Sequence, residues 1–136
     1  MPDIHPSLAE YLQGHRTGVL ATQRKAGAPQ LTLIAYHFDG ETLAISTRAP
    51  TQKAKNISRR PEFSLAVIDG SRQLIVYGTC DIIRDEAEVL RVHKARIRPI
   101  AQRAETDEEL TERLIREERV MLIITPTSFF PASISS

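Results

Sequence analysis

Residues 30–47 read Gln30-Leu31-Thr32-Leu33-Ile34-Ala35-Tyr36-His37-Phe38-Asp39-Gly40-Glu41-Thr42-Leu43-Ala44-Ile45-Ser46-Thr47. A run of apolar, β-branched and aromatic side chains from Gln30 to Phe38 stops at Asp39-Gly40, and a second run fills Thr42 to Thr47. That is the pattern of two antiparallel strands joined by a tight turn. On the first of them Leu31, Leu33 and Ala35 share one face and Ile34, Tyr36 and Phe38 the other, so both faces need cover. One face is expected to fill a barrel and the other to meet a helix or a second subunit.

Working outward, Gly18 to Gln23 reads as a strand ending in the turn Lys25-Ala26-Gly27. Before it, Ser7 with Glu10 has capping-box spacing and opens a short helix closed by Gly14. After residue 47 a helix is expected from Gln52 to Arg59, stopped by Pro61. Phe63, Leu65 and Val67 alternate as a strand, Asp69-Gly70-Ser71 turns the chain, and Gln73 to Ile83 forms a long strand whose interior Gly78 marks a bulge or bend. Residues 85–118 switch to a helical period, expected as two helices broken near Pro99, the second opened by Thr106 and Glu109. Val120 to Thr125 returns as the last strand, and the tail from Phe129 is expected to be extended, with Phe129 and Phe130 needing cover. Six strands in meander order with helices concentrated late imply a mainly β fold, a six-stranded antiparallel barrel decorated by helices.

The chain has 136 residues, 41% hydrophobic and 26% charged, which suits one domain over residues 1–136. Its net charge of +1 lacks the excess expected of a nucleic-acid binder. Cys80 is the only cysteine, so neither an internal disulfide nor a thiolate cluster can form. No apolar run reaches membrane-spanning length and no secretory signal pattern opens the chain, so the cytoplasm is the expected compartment.

Chemistry concentrates in the helix after residue 50. Thr51 follows Pro50 as a good N-cap, which puts Lys53 and Lys55 in the first helical turn, where the backbone dipole is already positive. Cations there repel the dipole unless an anion binds, and a capping hydroxyl, free N–H groups and two ammonium groups make a phosphate seat. Elsewhere the signals are weaker. His5, His15, His37 and His93 have no metal-ligand spacing. The acids at Asp85-Glu86 and Asp107-Glu108-Glu109 sit at helix starts, where the dipole favours them. The basic stretch from Arg91 to Arg103 reads either as a solvated helix face or as a landing strip for an acidic cofactor tail. No nucleophile, base and orienter can be assembled, so a cofactor must carry any redox chemistry.

Gly18-Val19-Leu20-Ala21-Thr22, Gly27-Ala28-Pro29-Gln30, Tyr36-His37-Phe38-Asp39, Lys53-Ala54-Lys55-Asn56 before Arg60-Pro61, and Gly78-Thr79 occur in an order that resembles the split-barrel family typified by pyridoxamine 5'-phosphate oxidase. The actinobacterial branch that binds the deazaflavin coenzyme F420 is the nearest likeness. The resemblance implies a homodimeric split barrel and an F420-dependent oxidoreductase acting on a small conjugated substrate. It puts the cofactor ring against the strand Thr32, Leu33, Ile34, Ala35, Tyr36, and the ribityl chain and phosphate at Ser46, Thr47, Arg48, Thr51, Gln52 and Lys53. Gln73 matches a ring-contacting glutamine of the flavin branch, with Arg72 beside it. Leu31 and Gln52 stand where the oxidase branch has arginines, which favours F420 over FMN. An FMN-dependent oxidoreductase and a non-catalytic carrier are the alternatives. Tyr36, His37 and solvent are the candidate proton donors, and Arg48, Arg72 and the Arg91 to Arg103 stretch are the candidate contacts for an acidic tail.

Overall fold

The computed structural model describes residues 4–101 and 103–135. Strands β1 (Thr17–Thr22), β2 (Gln30–Ala35), β3 (His37–Phe38), β4 (Leu43–Arg48), β5 (Glu62–Asp69), β6 (Arg72–Ile83) and β7 (Arg119–Phe130) form a 7-stranded antiparallel sheet in the order β2-β1-β5-β6-β7-β4-β3. The expected count of six fails because the run from Gln30 to Phe38 is two strands. Up to Ala35 the chain pairs with β1; from His37 it pairs with β4. Tyr36 sits between them, buried, with its N–H donating to Arg16 O at 2.8 Å and its Oη donating to Leu12 O at 2.8 Å. Because β2 and β3 are the two ends of the sheet order, this change of partner joins the edges and curls the sheet into a barrel open along one side.

The expected meander order also fails. β1 lies against β5 and β4 against β7, because the helix after β4 carries the chain from one part of the sheet to another. That helix, α2 (Gln52–Arg59), has the expected bounds, and its buried Ala54, Asn56 and Ile57 close an end of the barrel. Asn56 Nδ2 fixes it there by donating to Thr22 Oγ1 at 3.1 Å. Inside the barrel, alternate residues such as Leu65, Val67, Leu74, Val76, Leu122 and Ile124 meet Leu8, Tyr11 and Leu12 of α1 (Pro6–Gln13) in one core. The cap of α1 is His5, whose ring accepts from Ser7 N–H, rather than Ser7 itself. Ser7 Oγ instead accepts from Ile134 N–H at 3.0 Å and ties down the tail.

The expected bulge is present at Tyr77/Gly78, where a Cβ on Gly78 would lie 2.2 Å from Thr125 O. β7 runs five residues past the expected end at Thr125, to Phe130. The segment after Thr125 pairs with β6 beyond the bulge, so Phe129 packs against the core while Phe130 stays 60% exposed.

A second layer covers β4 and β7. Helix α3 (Glu86–Val92) continues through a π-helical turn at His93–Ile97 into α4 (Arg98–Ala101), and α5 (Asp107–Arg116) follows. Pro99 does not break the helix as expected. Hydrogen bonding widens just before it, with Arg98 N–H reaching His93 O, and the wide turn relieves the clash a proline ring makes with an α-helical carbonyl. The capping box of α5 is the one anticipated, Thr106 with Glu109. Val89, Val92, Leu110 and Leu114 pack on Ala44 and Met121.

His93 is buried in this layer. Burial first, and then the positive charge of Arg113, pushes its pKa from 6.5 down to about 4. The unfolded chain therefore takes up this proton near pH 6.5 and the folded chain only near 4. Stability is full above that window and is lost as pH falls through it. Urea midpoints measured near pH 7 and pH 4.5 check the prediction: His93→Asn should lose less on acidification than the wild type, and equal losses would contradict it. His37, whose pKa burial and Arg96 also lower, leaves a residual slope of the same sign.

Candidate active site

The side along which the barrel stays open is the site. β3 holds β4 only through His37↔Ala44 and Phe38↔Leu43, so from Ile45 onward β4 is bonded on one edge alone, to β7. β2 is likewise bonded only to β1. Two strand edges that a closed barrel would zip together therefore face a cleft of about 480 Å³ with unpaired main-chain groups. Leu33, Ile34, Ala35 and Tyr36 line one wall and Ile45, Ser46, Thr47 and Arg48 the other. Ile97, Ile100 and Ala101 reach over from the second layer.

Thr51 and Lys53, at the start of α2, line the cleft as well. Thr51 is the N-cap residue, as expected, but its hydroxyl does not cap: Oγ1 donates to Arg48 O at 2.8 Å, and no side chain accepts from the first helical N–H groups. The positive end of the helix is left with free donors. Around it stand Arg16, Arg48, Lys53 and Arg119, with no carboxylate among the described lining residues. Arg48 and Arg119 face each other directly in the β4–β7 register, two like charges balanced by a single carboxylate, that of Glu117, 2.9 Å from Arg119 Nε. Lys53 is half-buried, and desolvation first, then the charge of Arg119, lowers its pKa. Each of these features is relieved by an anion at the same place, and a phosphate group fits the donor set.

Of the residues expected in the site, Leu33, Ile34, Ala35, Tyr36, Ser46, Thr47, Arg48, Thr51 and Lys53 share this cleft. Thr32, on β2, is paired with Leu20 of β1 and lies outside the lining. Gln52 points to the other side of the helix turn, where its Nε2 donates to Asn56 Oδ1 at 2.8 Å. Arg72 and Gln73 are at the β5–β6 turn, away from the cleft, and the guanidinium of Arg72 stacks 5.3 Å over the Tyr11 ring. Sequence reasoning missed Arg16, Arg119 and the three small or apolar residues from 97 to 101. Arg119 had no local signal, since only the pairing of β7 with β4 brings it opposite Arg48.

The basic stretch is already engaged. Arg91 pairs with Glu88, Lys94 and Arg98 with Asp107, and Arg103 with Glu105. Arg96 donates to His37 Nδ1, His37 O, Thr42 Oγ1 and Thr42 O, clamping the second layer onto the β3–β4 hairpin. These contacts give residues 91–103 a structural role. Of the two side-chain candidates for proton donor, Tyr36 is committed elsewhere and His37 lies outside the cleft lining. The Tyr36 hydroxyl donates to Leu12 O and burial raises its pKa, while His37 Nδ1 must be unprotonated to accept from Arg96 Nε at 3.1 Å.

An F420 reductase of known structure is 28% identical and superposes with a TM-score of 0.65, over 88% of this chain and 94% of that one. A conserved hypothetical protein from Mycobacterium tuberculosis is 26% identical with a TM-score of 0.71, over 95% and 86%. The heme storage protein HutZ from Vibrio cholerae, at 14% identity and a TM-score of 0.67 over 95% and 94%, shares the fold. No helix among the described residues is long and apolar enough to cross a membrane. Residues 4–129 match the sequence profile of pyridoxamine 5'-phosphate oxidase, and with a barrel split along one side, the chain belongs to that flavin-binding split-barrel family.

Proposed function

We infer that the protein is an oxidoreductase that holds coenzyme F420 in this cleft and reduces a small conjugated organic substrate as a homodimer. The observation that carries the reading is one cleft with unpaired strand edges at one end and, at the other, an uncapped helix turn ringed by Arg48, Lys53 and Arg119. The edges suit a flat heterocycle with donors and acceptors on its rim, and the cations suit its phosphate. The 28% identity to an F420 reductase over most of both chains supports the deazaflavin.

When bound, reduced F420 supplies a hydride from C5 of its ring. The chain's own contribution is positional. Ile34, Ile97 and Ile100 would exclude water from the ring, the β2 and β4 edges would orient it, and the cations would fix the phosphate. With the Tyr36 hydroxyl bonded to Leu12 O and His37 outside the cleft lining, the proton that completes substrate reduction would come from solvent.

Arg119 supplies a guanidinium that the sequence expectation did not count, so Leu31 and Gln52 no longer argue strongly against FMN. The choice rests instead on the acidic oligoglutamate tail. Across the first turn of α2 from the cleft lies a groove of about 780 Å³ lined by Arg24, Lys25, Ala26, Gln30, Gln52, Lys55 and Arg59, with cations and no carboxylate among its described residues. It supports a cofactor whose negative charge extends beyond the phosphate.

The outer face of the sheet supports a dimer. Leu33, Val19, Ala66, Ile75 and Phe130 stand opposite one another in register across β2, β1, β5, β6 and β7, an apolar row whose ends are 73% and 60% exposed. Leu31, Ile68 and Tyr77 extend it. An apolar sheet face of this kind is what a second copy covers.

Three outcomes test the reading. Lys53→Ala removes a charge-assisted bond contributing about 1.5–3 kcal/mol, so titration should show F420 affinity falling on the order of tenfold or more. Unchanged affinity would sink the phosphate seat. F420 should bind more tightly than FMN at low salt, and its binding should weaken toward moderate salt as exposed tail contacts are screened. A preparation that arrives yellow with stoichiometric FMN overturns that choice, and bound F420 without turnover on any conjugated acceptor would favour a carrier. Light scattering at micromolar concentration should report a dimer that Leu31→Glu with Phe130→Glu converts to monomer. A wild-type monomer that still binds cofactor tightly contradicts the dimer.

A further inference from the structure

Arg48 and Arg119 should not sit still on their own. They face each other across β4 and β7, and like charges directly opposite repel. Both are nevertheless held, and by one residue that does not line the cleft. Glu117 Oε1 accepts from Arg119 Nε at 2.9 Å, and the backbone O of Glu117 accepts from Arg48 Nε at 3.2 Å. Each arginine is therefore gripped at Nε, the inner nitrogen of its fork. The terminal Nη atoms of both make no hydrogen bond to any described residue.

Glu117 is itself fixed. It is the C-cap of α5, and Arg113 Nη1 donates to its Oε1 at 3.2 Å. Arg113 is buried and makes two further bonds to Glu105, at 2.8 and 3.0 Å. Glu118 then adopts a left-handed φ of 53°, uncommon for a residue with a Cβ, and its O accepts from Ala49 N–H at 2.8 Å. The corner between α5 and β7 is thus bonded to the corner between β4 and α2. The chain Glu105–Arg113–Glu117 runs from the second layer to both cleft arginines.

We propose that Glu117 is the positioning residue of the anion seat: its carboxylate and carbonyl hold Arg119 and Arg48 by Nε, so that both guanidinium forks present their Nη groups to one phosphate. The inference rests on the reading of the cleft as a phosphate seat. A carboxylate beside the anion site here tightens anion binding. A nearby negative charge acting only through its field would oppose the anion. Orientation wins here because a fork held at Nε offers two parallel donors, whereas a free arginine must be ordered on binding.

The experiment compares F420 with its ring-and-ribityl fragment, 7,8-didemethyl-8-hydroxy-5-deazariboflavin, which lacks the phosphate. FMN and riboflavin serve as the matched pair if the wild type prefers FMN. Glu117→Ala should lose at least tenfold in affinity for the phosphorylated ligand with little change for the fragment. Glu117→Asp keeps the charge but cannot span Arg113 and Arg119, and should lose several-fold; it also serves if the alanine variant fails to fold. Glu117→Gln keeps the acceptor without the charge and should stay within about threefold of wild type. The proposal is overturned if Ala or Asp bind the phosphorylated ligand as tightly as wild type, if Gln binds it markedly tighter than wild type, or if ligand and fragment weaken together. Lys53→Ala on the same preparation separates the two readings. If it weakens binding while the Glu117 variants do not, only this proposal fails; if neither does, or if the wild type binds no member of either pair, the phosphate seat fails with it.

Discussion

The architecture depends on what happens at Tyr36. A sheet whose two end strands are consecutive in sequence must curl until its edges meet, and here they meet at a single residue. Its amide is held by Arg16 O and its hydroxyl by Leu12 O. A buried phenol needs a partner, and the C-terminal end of α1 provides one at a depth where water cannot. With Tyr36 pinned, β2 and β3 diverge to opposite edges, and the short β3 bridge leaves β4 unpaired from Ile45 on. The split that gives the protein its cleft follows from where one tyrosine is anchored.

The positive end of the cleft follows from charges that the chain balances only in part. A helix start with no side-chain cap, a desolvated lysine in its first turn and two arginines opposite one another are each unfavourable alone. They coincide within a cleft that carries no described acid. Glu117, the acid that holds the two arginines, does not line the cleft, so the lining stays positive while those side chains are held. Sites that break local rules and are held rigid by neighbours are where binding is found.

The second layer does more than cover β4 and β7. Arg96 ties the π-helical turn to the β3–β4 hairpin, and that turn carries Ile97 to the mouth of the cleft. Placing such a turn beside Pro99 keeps the helix running to Ala101, which brings Ile100 and Ala101 over the cleft as well. The basic residues of this stretch thus serve geometry.

What the sequence by itself determined lies within a few residues of its own cause. The bounds of α2, the Thr106–Glu109 capping box, the bulge at Gly78 and the lysine in the first turn of a helix all depend on neighbours along the chain, and the alternation of Phe63, Leu65 and Val67 shows which side of a strand is wet. The order of family motifs singled out residues of which most share one cleft. Tertiary structure alone decided which strands are neighbours. Periodicity fixes a strand's face but not its partner, so the strand break at Tyr36, the pairing of β4 with β7, the meeting of Arg48 with Arg119 and the reach of Glu117 to both were not legible. The same limit explains the basic stretch: a run of arginines and lysines looks free until the acids and carbonyls that occupy it, Glu88, Asp107, Glu105 and Thr42, are brought alongside by packing.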